Sequence, residues 1–166
     1  MFVDEVKKDS YEIAADALKE RLDTLYSMAL SVQEKHWGFI YKVENTMSGW
    51  ENKSRLQLLI SYKGNNLRVA WVGINWIGSK ANGDRRSVKK NISKPKGESS
   101  YSLKSLMNYA RDWEMEAVKN AEKELAAIRL EATHLVKTIT TMRYAVLARD
   151  GKLSSKISKL KTSSEE

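Results

Sequence analysis

Hydrophobic residues recur at alternating steps of three and four in two long stretches of this chain. The first stretch spans residues 4–38, and its apolar stripe consists of Leu18, Leu22, Leu25, Ala29, Val32 and His36. This spacing places the stripe on one face of an α-helix. Gly38 is the predicted end of the helix, because glycine commonly follows a last helical turn.

The second stretch is a helical block at residues 102–148. Its clearest run is Ala121, Leu125, Ile128, Ala132, Leu135, Ile139, Met142 and Val146, preceded by Leu103, Leu106, Ala110, Trp113 and Ala117. An extra step of four between Ala117 and Ala121 predicts a bend or a relaxed supercoil, so the block is one helix or two abutting helices. The two stripes predict an antiparallel, coiled-coil-like helix pair within the chain. Homodimerisation through the same stripes is the alternative.

Between the helices, residues 54–93 predict a small antiparallel sheet of two or three strands. Leu56, Leu58, Ile60 and Tyr62 alternate with polar residues, and a turn follows at 64–66. The return strand is apolar on both faces at 69–77, as in a central strand, and Gly73 marks a bulge or a close backbone approach. Residues 86–93 are a candidate third strand. The predicted fold class is therefore α+β, with one domain at 1–150 and a flexible basic tail at 151–166.

Positive charge is concentrated in residues 80–104. Eight basic residues there face only Asp84 and Glu98, so the segment carries +6 of the net charge of +8. Such a density of like charges repels itself and favours an anionic partner. Trp71 and Trp76 precede the segment, and aromatic rings beside cations are typical of nucleic-acid surfaces. A solvated loop beside a sheet with core tryptophans is the alternative interpretation.

Within this segment, residue chemistry suggests separate roles. Arginine presents a planar fork that suits guanine edges and narrow minor grooves, so Arg85 and Arg86 are the candidates for base contact. The lysines are candidate phosphate contacts, which position a protein without reading sequence. They are Lys80, Lys89, Lys90, Lys94, Lys96 and Lys104. Trp76 is a candidate for base stacking, with a core position as the alternative, whereas Trp71 and Trp113 are predicted core residues. The basic tail is a second candidate phosphate arm, through Arg149, Lys152, Lys156, Lys159 and Lys161.

Enzymatic function is not expected. The chain has no cysteine, and its two histidines, His36 and His134, lie far apart on or beside apolar stripes, where interior or flanking roles are commoner than metal ligation. No phosphate-loop, nucleophile-elbow or zinc-protease motif occurs. The acidic residues of the second block are predicted to form a solvated helix face with i,i+4 ion pairs. They are Asp112, Glu114, Glu116, Glu122, Glu124 and Glu131. No cofactor, metal or membrane partner is expected, and the predicted location is cytoplasmic.

Several short motifs carry a family resemblance. They are W-x4-W-x-G-x-K-x2-G-x2-R at 71–86, I-S-K-P-K-G at 92–97, Y-S-L-x2-L at 101–106 and A-R-D-W-E at 110–114. Together, over about residues 55–146, they resemble MobI, a mobilisation protein of conjugative plasmids and integrative conjugative elements. The resemblance implies an auxiliary transfer factor that binds double-stranded DNA at the origin of transfer and helps to bring the relaxase to it. It implies no catalytic residues.

Two functions of other classes remain open. The same basic patch suits RNA or single-stranded DNA, with Trp76 and Tyr62 as stacking platforms. Alternatively, the helical stripes serve a protein-interaction adaptor, and the basic segment only keeps that adaptor in solution.

Overall fold

The computed structural model describes residues 9–152, which form two long helices and a three-stranded sheet. Helix α1 spans Ser10–Glu44 and is followed by a 3-10 turn at Trp50–Asn52. The strands are β1 (Leu56–Lys63), β2 (Asn66–Ile77) and β3 (Arg86–Asn91). A short helix α2 (Leu103–Met107), a 3-10 turn (Asp112–Glu114) and helix α3 (Met115–Arg149) complete the described part of the chain. The α+β class and the third strand are confirmed.

Helices α1 and α3 pack against each other in antiparallel orientation. Arg149 near the end of α3 reaches Asp9 at the start of α1, with 2.5 Å between Nη1 and Oδ2. Midway, Arg21 forms a two-pronged ion pair with Glu131, with 2.6 Å between Nε and Oε1. The predicted stripe of α1 is buried from Leu22 to His36, and the α3 stripe is buried from Ala121 to Ile139, where Leu135 is only partly covered. Coiled-coil packing of the pair remains a prediction, as does the domain boundary at residue 150.

The three strands lie in sequence order and pair in antiparallel fashion. Leu58 lies opposite Trp71, and Gly73 lies opposite Leu56 on one side and Lys90 on the other. Because side chains alternate along a strand, one face carries the residues that pack on the helices, among them Leu58 and Trp71. The opposite face carries Ala70, Val72, Ile74 and Trp76, which are not part of the helix-packed core.

The structure tests the roles that the sequence predicted for two glycines. Gly38 does not end α1, which continues for six residues to Glu44. Its φ is not positive, so the left-handed turn that makes glycine a helix stop is absent there. Gly73 is a close approach rather than a bulge. The register runs through it unbroken, and the ring of Tyr109 occupies the space that a Cβ would need.

The second helical block is two helices, not one. Helix α2 covers only five residues, and non-helical chain and a 3-10 turn separate it from α3. The apolar stripe before Ala117 is therefore not continuous, and Leu103 is an exposed residue. Of the predicted tail, only Gly151 and Lys152 fall within the described residues. The predicted helix residues 4–8 and the phosphate-arm lysines Lys156, Lys159 and Lys161 lie outside them.

Candidate nucleic-acid interface

The basic segment begins in the connection between β2 and β3. Its geometry requires Gly78, which has a φ of 87° and lies so close to Asp84 that a Cβ would be 2.5 Å from the Asp84 carbonyl oxygen. The Ser79 N–H donates to the Asp84 carboxylate at 2.7 Å, and the Gly83 N–H donates to the Lys80 carbonyl oxygen at 3.3 Å. These contacts shape the loop and leave the side chain of Lys80 exposed.

Arg85 is held between two exposed tryptophans where this connection enters β3. The guanidinium carbon lies 5.1 Å from the ring centroid of Trp76 and 5.4 Å from that of Trp50. Trp76 is 54% exposed and Trp50 is 68% exposed. The core alternative for Trp76 is therefore wrong, and its ring is open to solvent as a stacking role requires. Sequence reasoning missed Trp50, which lies 35 residues before Arg85 in a stretch without periodic pattern.

Strand β3 presents cations on both faces of the sheet edge. Lys89 lies opposite Ile74 and therefore shares the outer face with Trp76, while Arg86 and Lys90 point to the other face. All six residues of the strand are exposed. Among residues 9–152, no ion pair links the cations of β3 to a carboxylate. Their charge is thus available to an anion outside the chain.

The remaining predicted contacts are divided between different environments. Lys96 is exposed in the turn after β3, and Lys104 is exposed on α2, a separate element. Lys94 is different, because its Nζ lies 5.9 Å from the ring centroid of Tyr101. Burial and the neighbouring charge of Arg129 lower the pKa of Lys94, while Glu122 opposes this shift. Lys94 is thus an exposed residue like Lys89 and Lys90, but its ammonium group lies beside the ring of Tyr101.

Two acidic residues predicted on a solvated helix face are buried instead. The first is Glu122, whose carboxylate pairs with Arg129 and accepts hydrogen bonds from the Trp71 indole and from the Tyr101 N–H, both at 2.7 Å. These three partners satisfy the carboxylate and so compensate the free-energy cost of burying its charge. The prediction was wrong because Glu122 and Arg129 extend the buried face of α3. Their spacing with Val118, Leu125 and Ala132 is again four-three-four-three, a signal that the sequence contains.

The second is Glu114, which is completely buried just before α3. It accepts hydrogen bonds from the Ser54 hydroxyl at 2.7 Å and from the Arg111 N–H at 2.6 Å. Burial raises the pKa of its carboxyl group, and these two hydrogen bonds act in the opposite direction. These hydrogen bonds connect the residues just before β1 to those just before α3.

The aromatic core and the histidines match the predictions for the most part. Trp71 is fully buried, whereas Trp113 is only partly buried and packs on Phe39 at 6.3 Å between ring centroids. His36 is buried edge-on against Trp71, and burial lowers its pKa to about 4. His134 is exposed on α3. Arg149, predicted as a phosphate contact, is paired with Asp9 and Asp150.

Two further findings concern the part of the chain that the structure describes. Between residues 9 and 152, no group of three or more histidine and acidic side chains is arranged to hold a metal ion. Over the same residues, no helix combines the length and the apolar character that crossing a membrane would require.

Comparison with known proteins identifies the family. No curated protein and no solved structure matches the chain significantly. A sequence model of the MobI protein matches residues 25–143, which extend from the first buried turns of α1 through the sheet to the last third of α3. This match includes the basic connection, β3 and both buried carboxylates, and it covers well over half of the 166 residues. The chain therefore belongs to the MobI family of mobilisation proteins.

Proposed function

We propose that this protein is an auxiliary mobilisation factor that binds double-stranded DNA at the origin of transfer and helps to position the relaxase there. The observation that carries the proposal is Arg85, whose guanidinium lies between the exposed rings of Trp50 and Trp76 beside a fully exposed basic strand. Membership of a mobilisation family supports a partner in the transfer machinery.

In this proposal, Arg85 and Arg86 read the DNA. Stacking on two rings restricts the guanidinium of Arg85 before any partner arrives, so less side-chain entropy is lost when its donors meet a base edge. A planar fork with fixed orientation is the group that discriminates guanine in the major groove or enters a narrow minor groove.

The lysines follow the phosphates on either side of these arginines. Lys89 and Lys90 present their charges from both faces of β3, and Lys80 and Lys96 extend the line at its two ends. Lys104 would lengthen the phosphate path only if the DNA also reaches α2. Lys94 is the weakest candidate of the set, because its ammonium group faces Tyr101.

The helix pair supplies the rigid support and the second interaction surface. The outer faces of α1 and α3 carry charges of both signs, and we assign this surface to the relaxase or, as the alternative, to a second copy of the chain. Such a role needs no catalytic step, no cofactor and no membrane. It takes place in the cytoplasm, where origin DNA is processed.

Fluorescence anisotropy tests the proposal directly. The full chain is titrated into labelled duplex from the origin of its own element and into a scrambled duplex over a salt series. We expect tighter binding to the origin, with a log–log salt slope of about −0.9 for each phosphate contact. The double variant Arg85→Gln/Arg86→Gln should lose the preference for the origin. The matched control, Lys35→Gln/Lys123→Gln, removes two positive charges from exposed helix positions and should keep it.

The alternatives predict different results in the same experiment. Tighter binding to single-stranded DNA or RNA than to either duplex would favour a stacking role for Trp50 and Trp76 on unpaired bases. An absence of binding at low salt, with relaxase capture preserved in the Arg85→Gln/Arg86→Gln variant, would favour the helix-based adaptor. Equal loss of origin and scrambled binding in the arginine variant would refute sequence reading by Arg85 and Arg86.

A further inference from the structure

A cavity of about 460 Å³ lies between the edge of β2 and helix α3, away from the connection that holds Arg85. It exists because β3 pairs only with the stretch of β2 from Val72 onward, so residues 66–71 have no strand on that side. The chain leaves β3 and crosses this gap toward Tyr101, which closes one wall of the cavity.

The charged residues that line the cavity are all cationic. They come from three separate parts of the fold and comprise Arg68, Lys94, Arg129 and Lys137. Within residues 9–152, none of Arg68, Lys94 and Lys137 forms an ion pair with a carboxylate. The only buried carboxylate beside them is Glu122, which is already engaged by Arg129, Trp71 and Tyr101.

Arg129 is itself only partly satisfied. Its Nε donates to the Ser99 carbonyl oxygen at 2.6 Å and its Nη2 pairs with Glu122, but its buried Nη1 has no hydrogen-bond partner among the described residues. Its guanidinium carbon lies 5.0 Å from the ring centroid of Tyr101, and the ammonium of Lys94 lies 5.9 Å from the same centroid. Two cations thus lie on one ring, and of the two only Arg129 is paired with a carboxylate among residues 9–152, that of Glu122.

The protonation of Lys94 supports this description. Its pKa is lowered first by burial and then by the charge of Arg129. An anion in the cavity would oppose both effects, since an opposite charge nearby stabilises the protonated amine.

We propose that this cavity is a phosphate-binding site, distinct from the surface around Arg85. Several cations around one small cavity match the multiple charged oxygens of a phosphate, and lysine and arginine are its usual protein ligands. Lys94, Arg68 and Lys137 would contact the anion, and the unpartnered Nη1 of Arg129, which lines the same cavity, would offer it a further hydrogen-bond donor. The phosphate is supplied either by the DNA backbone or by a free phosphate or nucleotide. The site does not depend on the proposed reading of origin DNA.

Orthophosphate is the probe for the first test. Isothermal titration calorimetry and thermal unfolding of the full chain are measured with orthophosphate, with chloride adjusted to constant ionic strength. We expect saturable binding and a rise in Tm that follows the binding curve. The double variant Lys94→Gln/Lys137→Gln should lower the affinity about tenfold or more, as expected for the loss of a charge-assisted contact. The Lys35→Gln/Lys123→Gln control should bind as the parent chain does. Arg129 is left unchanged because its loss would also unpair Glu122.

The second test separates the two sources of phosphate. If a DNA phosphate fills the site, orthophosphate should compete with duplex binding, and Lys137→Gln, at a position outside the proposed DNA contacts, should weaken the duplex as well. If the site takes a free phosphate or nucleotide, orthophosphate should not compete with the duplex, and Lys137→Gln should lose orthophosphate affinity but keep duplex affinity. The Arg85→Gln/Arg86→Gln variant should still bind orthophosphate in either case, so failure of the DNA proposal would leave this one intact. Non-saturable heats, or unchanged affinity in Lys94→Gln/Lys137→Gln, would refute the site.

Discussion

Two of the places where cations meet aromatic rings in residues 9–152 differ in their exposure to solvent. Arg129 stacks on Tyr101 inside the fold and is paired with Glu122, whereas Arg85 stacks on Trp50 and Trp76 at the surface and has no carboxylate partner among residues 9–152. The first contact is neutralised within the chain and contributes to folding. The second is left for an external anion. A cation–aromatic contact can therefore support the fold or remain available to a ligand, depending on whether a carboxylate is buried beside the cation.

The largest expected effect concerns the buried pair. Glu122→Gln removes the negative charge and leaves Arg129 as an uncompensated buried cation, so we expect a loss of about 3–5 kcal/mol in unfolding free energy. Urea unfolding measures it. Glu124→Gln, at an exposed position two residues further along α3, should stay within about 0.5 kcal/mol of the parent. If both variants lost equal stability, the assignment of Glu122 to folding would fail.

The second expected effect is a pH dependence of the free energy of unfolding, caused by the buried His36. Burial lowers the pKa of His36 to about 4 from 6.5, so the unfolded chain binds its proton more readily than the folded chain does. The stability contributed by neutral His36 is therefore complete above pH 6.5 and is lost as the pH falls toward 4. Between pH 7 and pH 5 the loss should be about 2 kcal/mol.

Substitutions distinguish the contribution of His36 to this pH dependence from that of other titrating groups. His36→Phe retains a ring against Trp71 and should abolish that part of the pH dependence, measured by urea unfolding at both pH values. His134→Gln, at an exposed position, should preserve it. An unaltered slope in His36→Phe would contradict the buried-histidine explanation.

The third expected effect is at the surface. Trp50→Leu takes one of two rings from Arg85 and, at about 0.5–1 kcal/mol for a cation–π contact, should weaken origin binding about two- to fivefold. The free energy of unfolding should hardly change, because Trp50 is 68% exposed. Tyr41→Leu removes another exposed ring, 71% exposed on α1, and serves as the control in the anisotropy measurement. If Trp50→Leu lowered the free energy of unfolding by more than it lowered the free energy of binding, Trp50 would contribute to folding rather than to DNA binding.

The smallest expected effect is that of a single phosphate contact. Lys89→Gln should weaken origin and scrambled duplex alike and reduce the magnitude of the log–log salt slope by about 0.9. Lys35→Gln should leave the slope unchanged. A change in sequence preference without a change in slope would mean that Lys89 reads bases.

Local patterns predicted most of the fold. The α1 stripe, the alternation in β1 and the doubly apolar β2 each depend on near neighbours, and each is found where the sequence predicts it. The break between α2 and α3 was not resolved because the helical period continues through Ala110 and Trp113. Tertiary contacts hold this stretch instead, with Tyr109 against Gly73 and Trp113 against Phe39.

The candidate site was predictable in charge but not in geometry. The basic residues were evident from composition, and the structure finds β3 fully exposed. The partnership of Arg85 with Trp50 joins distant parts of the chain, so no local spacing reveals it. The contact of Lys94 with Tyr101, which Arg129 shares, likewise joins parts of the chain that only folding brings together.

The antiparallel helix pair gives the molecule a long axis with two different poles. Asp9 and Arg149 meet at one pole, while Trp50, just beyond the other end of α1, lies at the opposite pole beside Arg85. The 35 residues of α1 separate these poles by about 50 Å at 1.5 Å per residue. Because the chain has no cysteine, a single Ser10→Cys substitution would accept one dye at the far pole. The efficiency of energy transfer from that dye to a labelled duplex would then report the distance between them, and so which end of the helix pair approaches the DNA.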